Sequence, residues 1–321
     1  MHAPSQLNAR PEAGRQPPKT RQAARVEWPT LGLLALCYAM WVFGTTAASA
    51  LALPLGIVVT GLAIALHSSL CHEALHGHPF RSQRLNETLV FPALCLAIPY
   101  ARFRDTHLAH HRDEFLTDPY DDPEANYLDP IVWARLPGWV RAVLRFNNTL
   151  AGRMLIGPMV AQISFLRSDW RAIKTGDRAV RDAWLWHIPA VALVLAWLWF
   201  VPMPVWAYLL AVWLGLAILK IRTFLEHRAH LRASGRTVLI EDRGPLAWIF
   251  LNNNLHVVHH MHPEVAWYRL PALYAARRDH YLRRNDGYVY RSYAQIFAAY
   301  FWQAKDPVAH PLWPGRSDGD T

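Results

Sequence analysis

Charge is missing from two long stretches of this 321-residue chain. No Asp, Glu, Lys or Arg occurs over the 45 residues of 28–72, or over the 37 of 183–219. A membrane-crossing helix needs about 20 apolar residues, so each stretch has room for two. With 53% hydrophobic and 18% charged residues, and the apolar ones clustered, a soluble protein is excluded. Cysteine is scarce. Cys37, Cys71 and Cys95 sit in apolar surroundings with no C-x-x-C pair, so they read as small buried hydrophobes and imply no disulfide framework. The chain has no flavin or dinucleotide fingerprint and no haem-attachment motif, so redox chemistry here must draw electrons from a separate carrier. It also lacks a basic block. The net charge of +9 is dispersed among acidic residues, which points to an anionic membrane surface and not to nucleic acid.

The apolar stretches predict spans near residues 30–46 and 51–69, joined at GTTAASA, and near 183–200 and 204–221, joined around VPMP. Residues 1–27 form a basic, disordered tail by composition. The first apolar run begins only near Pro29 and continues into more apolar sequence, so it reads as a retained anchor and not a cleaved signal. Arg and Lys fill the tail, residues 102–181 and everything after Lys220, which places both ends and both large polar segments in the cytoplasm. A shorter apolar stretch, 88–101, contains Pro92 and Pro99 and is read as re-entrant. The expected domain spans 28–270, followed by a cytoplasmic segment, 271–321. Residues 113–130 carry three prolines and seven acidic residues, a structured loop whose acids are accounted for by capping and turn chemistry.

Histidine is what the chain has in abundance, and it is clustered. HEALH holds His72 and His76, HLAHH holds His107, His110 and His111, and HVVHH holds His256, His259 and His260. On a helix, positions i, i+3 and i+4 share one face within about one turn. HEALH also matches the H-E-x-x-H zinc pattern, but a zinc protease leaves both HxxHH groups unexplained. Eight histidines on one side of the membrane exceed a single tetrahedral zinc. They suit two metal ions with open positions, and imidazole is compatible with iron, copper or zinc.

These three motifs, in this order and on this hydropathy frame, resemble the histidine boxes of the integral-membrane fatty acid desaturase and hydroxylase superfamily. The resemblance covers about residues 51–262. It implies an all-α membrane protein of about four transmembrane helices in two hairpins, with a cytoplasmic helical cap holding a non-haem di-iron site. The eight box histidines become iron ligands, and a ninth is expected after the last span in RTFLEHRAH, where His227 is chosen and His230 held in reserve. His78 and His262 are neighbours of the boxes and His67 lies on the helix surface or behind the ligands, while His187, His280 and His310 are interface histidines. Glu73, Asp105, Asp113, Glu226 and Glu264 are candidates to orient ligand rings.

The implied reaction is an O2-dependent desaturation of a fatty acyl chain or lipid at two iron ions. Electrons come from a ferredoxin or cytochrome b5-type donor with its reductase. A bacterial inner membrane with a cytoplasmic active site is the expected location. A hydroxylase or ketolase acting on a lipid, carotenoid or other hydrophobic molecule is the alternative, and a non-redox metal-binding membrane protein a remote one. A transporter is disfavoured because both hairpins lack ionisable residues of the kind that line ion paths.

Overall fold

The computed structural model describes residues 26–313; residues 1–25, most of the expected disordered tail, and 314–321 lie outside the described residues. Four helices among the described residues are long and apolar enough to cross a membrane: Trp28–Leu51, Leu53–Leu75, Arg178–Trp199 and Val205–Thr223. The turn expected over GTTAASA is helical instead, with Gly44–Ala48 forming one π-helical turn inside the first span. Its hydroxyl side chains account for this. Thr45 donates to the Trp41 carbonyl at 2.9 Å and Ser49 to that of Gly44 at 2.7 Å, so the polar stretch is satisfied within the helix. The chain reverses only at Ala52, which is extended, and Pro54 stands in the first turn of the next helix.

The second and fourth spans cross closely. A Cβ on Gly61 would stand 3.1 Å from the Ala211 carbonyl oxygen, and one on Gly215 would stand 2.9 Å from that of Gly61. Small residues thus permit a close backbone approach where lipid supplies no hydrophobic drive between helices. This crossing brings the HEALH end of the second span beside the outgoing end of the fourth.

Residues 90–99 are irregular and run deep between the spans. Leu94 is fully buried against Leu198, Met203 and Tyr208. Backbone at such depth needs partners, and it has them: Tyr208 donates to the Leu94 carbonyl at 2.7 Å, and Gln162 to that of Ala97 at 2.8 Å. The segment returns into the helix Tyr100–His110, which opens after Pro99 and carries the second box. A buried ion pair latches that helix. Arg102 holds Asp169 of the helix Gly157–Lys174 through two bonds of 2.9 and 3.0 Å, and Trp184 donates to the same carboxylate at 2.9 Å.

The rest of the cap is assembled from short elements. A two-residue parallel pair, Leu239–Ile240 with Val289–Tyr290, sets Leu239 opposite Val289. The third box lies on the short helix His256–Met261, a segment too short to persist alone. Packing supports it instead: Val257 and Val258 are buried with Leu239, Leu270, Tyr274 and Tyr281, each valine contributing roughly 1.5 kcal/mol or more.

Candidate metal centre

Four elements converge at the end of the bundle. The second span delivers His72 in its last turn and His76 at its C-cap. The helix Tyr100–His110 delivers His107, His110 and, at its C-cap, His111. His256, His259 and His260 come from the short helix, and His227 from the irregular chain after the fourth span, where it bridges to Thr237.

The nine chosen histidines fall into two groups. His72, His76, His107, His111 and His259 form one, and His110, His227, His256 and His260 the other; within each, the ligand nitrogens lie within 4.8 Å of one another. The two HxxHH boxes are each divided between the groups. In the second box, positions i and i+4 join the five-histidine group and i+3 the other; in the third box the assignment is reversed. Sharing one helix face therefore did not mean sharing one histidine group, because i+3 and i+4 lean to opposite sides of the direction set by i.

The ring nitrogens are oriented. His107 Nδ1 lies 3.1 Å from Glu124, His110 Nδ1 2.8 Å from Asp122, His256 Nδ1 2.9 Å from Asn253 Oδ1 and His227 Nδ1 3.3 Å from the Thr237 hydroxyl. A carboxylate can only accept, so it fixes the proton on Nδ1 and leaves a lone pair on Nε2. Those Nε2 atoms converge: His110 on His227 at 2.8 Å, His256 on His227 at 3.2 Å, His107 on His111 at 3.0 Å, and His259 on His111 at 3.1 Å. His72 Nε2 and His76 Nε2 are buried with no hydrogen-bond partner. Apart from His110, whose neighbouring carboxylates favour a second proton, these are converging lone pairs that repel unless a cation lies among them, so these residues fit a metal.

Electrostatics singles out one histidine. Burial, reinforced by neighbouring imidazoles, lowers His76 to about 2 and holds His111 and His259 far below the usual histidine range. His227 and His256 are lowered by the same causes. His110 is the exception. Burial alone would lower it, but Glu124 and Asp122 outweigh that and raise it to about 9.

The geometry brings His227 in and leaves His230 out: His230 pairs with Asp286 at 3.1 Å, away from both groups. His78 pairs with Glu27 at 2.9 Å, His67 meets Tyr38 at 3.3 Å, and His187 faces the Leu96 carbonyl at 3.0 Å. Among the expected orienting carboxylates, Glu73 lies 3.8 Å from His72 Nδ1 and Glu226 4.0 Å from His256 Nδ1. Asp105 pairs with Arg104 at 2.9 Å, and Glu264 is exposed. The effective acceptors, Asp122 and Glu124, come from the acidic loop that turn chemistry was expected to explain. Turn chemistry does describe Asp118 and Asp129, which accept from Tyr120 N at 2.8 Å and Ile131 N at 2.6 Å. Asp122 combines both roles, accepting from Thr117 N at 2.9 Å through one oxygen and facing His110 with the other. Their signal was available as acids 12 and 17 residues beyond the box histidines they face.

The sequence pattern of the fatty acid desaturase family matches residues 48–293, most of the chain and all nine histidines. The chain belongs to the fatty acid desaturase family. It is an integral membrane protein of an oxidoreductase family. It is also similar to the beta-carotene ketolase of Paracoccus sp. (strain N81106 / MBIC 01143), at 25% identity over 247 residues, covering 73% of this chain and 84% of that one. Within this family the sequence reading of a four-span helical protein holds.

Proposed function

We propose that this desaturase-family protein is an O2-dependent di-iron oxidoreductase that oxidises an unactivated C–H bond of a hydrophobic, membrane-dissolved substrate. The observation that carries this reading is the convergence of imidazole Nε2 atoms into two adjacent groups. His72, His76, His107, His111 and His259 would hold one iron, and His110, His227, His256 and His260 the other. Two irons there supply the oxidising power for C–H cleavage, with dioxygen as co-substrate. The chain's own residues do the rest. Asp122, Glu124 and Asn253 hold a proton on the ring Nδ1 each faces, and the Thr237 hydroxyl positions the His227 ring.

Desaturation of a fatty acyl chain follows the family. A second reading, oxygenation of a carotenoid-like ring by a ketolase or hydroxylase, is favoured by the similarity to a ketolase over most of that protein's length. Mass spectrometry of lipids from cells with and without the gene separates them: loss of two hydrogens supports the first, gain of oxygen the second. Metal analysis is expected to find about two irons per chain, and one zinc without iron would sink the di-iron assignment.

Electrons come from a ferredoxin or a b5-type cytochrome with its reductase, at a cytoplasmic face of a bacterial inner membrane. Basic residues there favour an acidic carrier, so turnover is expected to fall as salt rises. Turnover independent of ionic strength counts against that docking mode.

A further inference from the structure

Between Asp129 and Asp169 the chain has no acidic residue and five arginines, at 135, 141, 145, 153 and 167. Two of the helices in and just beyond this stretch are amphipathic, and their apolar sides are exposed among the described residues. The helix Gly138–Asn147 has no buried residue, and Trp139, at i, is 73% exposed with Val143 and Phe146, at i+4 and i+7, on the same side. Arg141 and Arg145 project from the opposite side by helical periodicity. Its attachment is firm: Arg153 is buried and donates to the Asn147 carbonyl at 3.1 Å, while Asn148 donates to the Asp306 carbonyl.

The second helix, Gly157–Lys174, repeats the pattern. Met159, Leu166 and Trp170 are exposed on one side, and the Lys174 ammonium sits 5.2 Å over the Trp170 ring. This helix turns through Gly176, at a φ of 93°, directly into the third span at Arg178. The exposed apolar side thereby continues into the outward face of that span, where Trp186 and Ile188 are exposed. The height of the two helices is thus the height at which the membrane begins.

We propose that these two helices lie in the headgroup layer on the histidine side of the membrane, apolar faces in the acyl boundary, and that their cations bind anionic phospholipid. Apolar side chains at this level require an apolar solvent, and the cations of the two helices, Arg141, Arg145, Arg167, Arg171 and Lys174, whose one helical acid, Asp169, is taken by Arg102, favour phosphate. The contact reaches the histidine cluster through one ion pair, since Asp169 of the second helix holds Arg102 on the helix bearing His107, His110 and, at its C-cap, His111. The proposal does not rest on which reaction the centre performs.

The test uses the full chain in nanodiscs of phosphatidylcholine, with or without phosphatidylglycerol, carrying a spin label at Val143→Cys. Asp121→Cys, on the exposed acidic loop, serves as the water-facing control, and the wild-type chain labelled in parallel reports its own cysteines. The Val143 label is expected to relax with dissolved oxygen and be shielded from a water-soluble relaxant, with the Asp121 label behaving the other way. Native mass spectrometry is expected to show phosphatidylglycerol retained by the wild type, with apparent affinity about tenfold or more lower in Arg141→Gln/Arg145→Gln. A Val143 label open to the aqueous relaxant in both membranes overturns the proposal. So does shielding that appears only when an acidic electron-carrier protein is added, or lipid retention indifferent to both arginines.

Discussion

The five-histidine and four-histidine groups sit side by side yet are built by different means. The larger group takes two i, i+4 pairs, His72 with His76 and His107 with His111, and adds His259 across the gap. Helix geometry does most of that work. The smaller group has one such pair, His256 with His260, and two single residues from distant segments, one of which, His227, is not on a helix. What steadies it is hydrogen bonding, with Asp122, Thr237 and Asn253 each facing an Nδ1. One site is thus specified mainly by local periodicity and the other by long-range contacts.

The largest effects should come from deleting one ligand on each side of this division. His259→Ala is expected to empty the five-histidine group and His227→Ala the four-histidine group. Each should leave about one iron per chain and cut product formation by at least about 100-fold, beyond the range for losing an orienting partner. Product formation that survives His259→Ala means the third-box assignment is wrong. Equal losses from His230→Ala and His227→Ala would undo the choice of ninth ligand, because only His227 stands in the group.

Orienting residues should matter next. Asp122→Ala is expected to weaken iron binding at the four-histidine group by about 10- to 100-fold, and Glu124→Ala to act mainly on the five-histidine group through His107. Metal titrations of the purified variants, read as two separate binding steps, will show whether the losses fall on different steps. If both variants weaken the same step, the division of labour fails.

The smallest effect is a difference in pH dependence. His110, raised to about 9, carries a proton on each nitrogen below that value and must release one to bind metal. Iron affinity at the four-histidine group should therefore rise with pH up to about 9, by about tenfold per unit for one proton, and level off above it. His76, His111 and His259 are lowered and already neutral, so the five-histidine group should be nearly flat across the same range. Asp122→Asn is expected to move the rise to lower pH. An identical slope at both groups would contradict the assignment of His110.

Hydropathy made the four spans legible because a bilayer imposes one requirement on every residue it touches, over a length that composition can report. It misplaced the first turn because hydroxyl side chains bond their own helix and look polar without ending it. The boxes were equally legible, since i, i+3 and i+4 spacing is a local property. Their division into two sites was not, because it depends on which neighbour stands on either side of the helix. Asp122 and Glu124 were hidden among seven acids of one loop that look alike in composition and differ only in where the backbone points them.

By itself, then, the sequence determined that this chain crosses a membrane on four helices and carries three histidine boxes of desaturase type. Those are consequences of solvent and of helical periodicity, which act over a few residues. Only the tertiary structure decided that His227 and not His230 lies in the cluster, and that each HxxHH contributes to both histidine groups. It also decided that a loop carboxylate turns each His107 and His110 ring toward its group. Such choices rest on contacts between residues as far as 148 positions apart, which the packing of spans and cap brings within hydrogen-bonding reach.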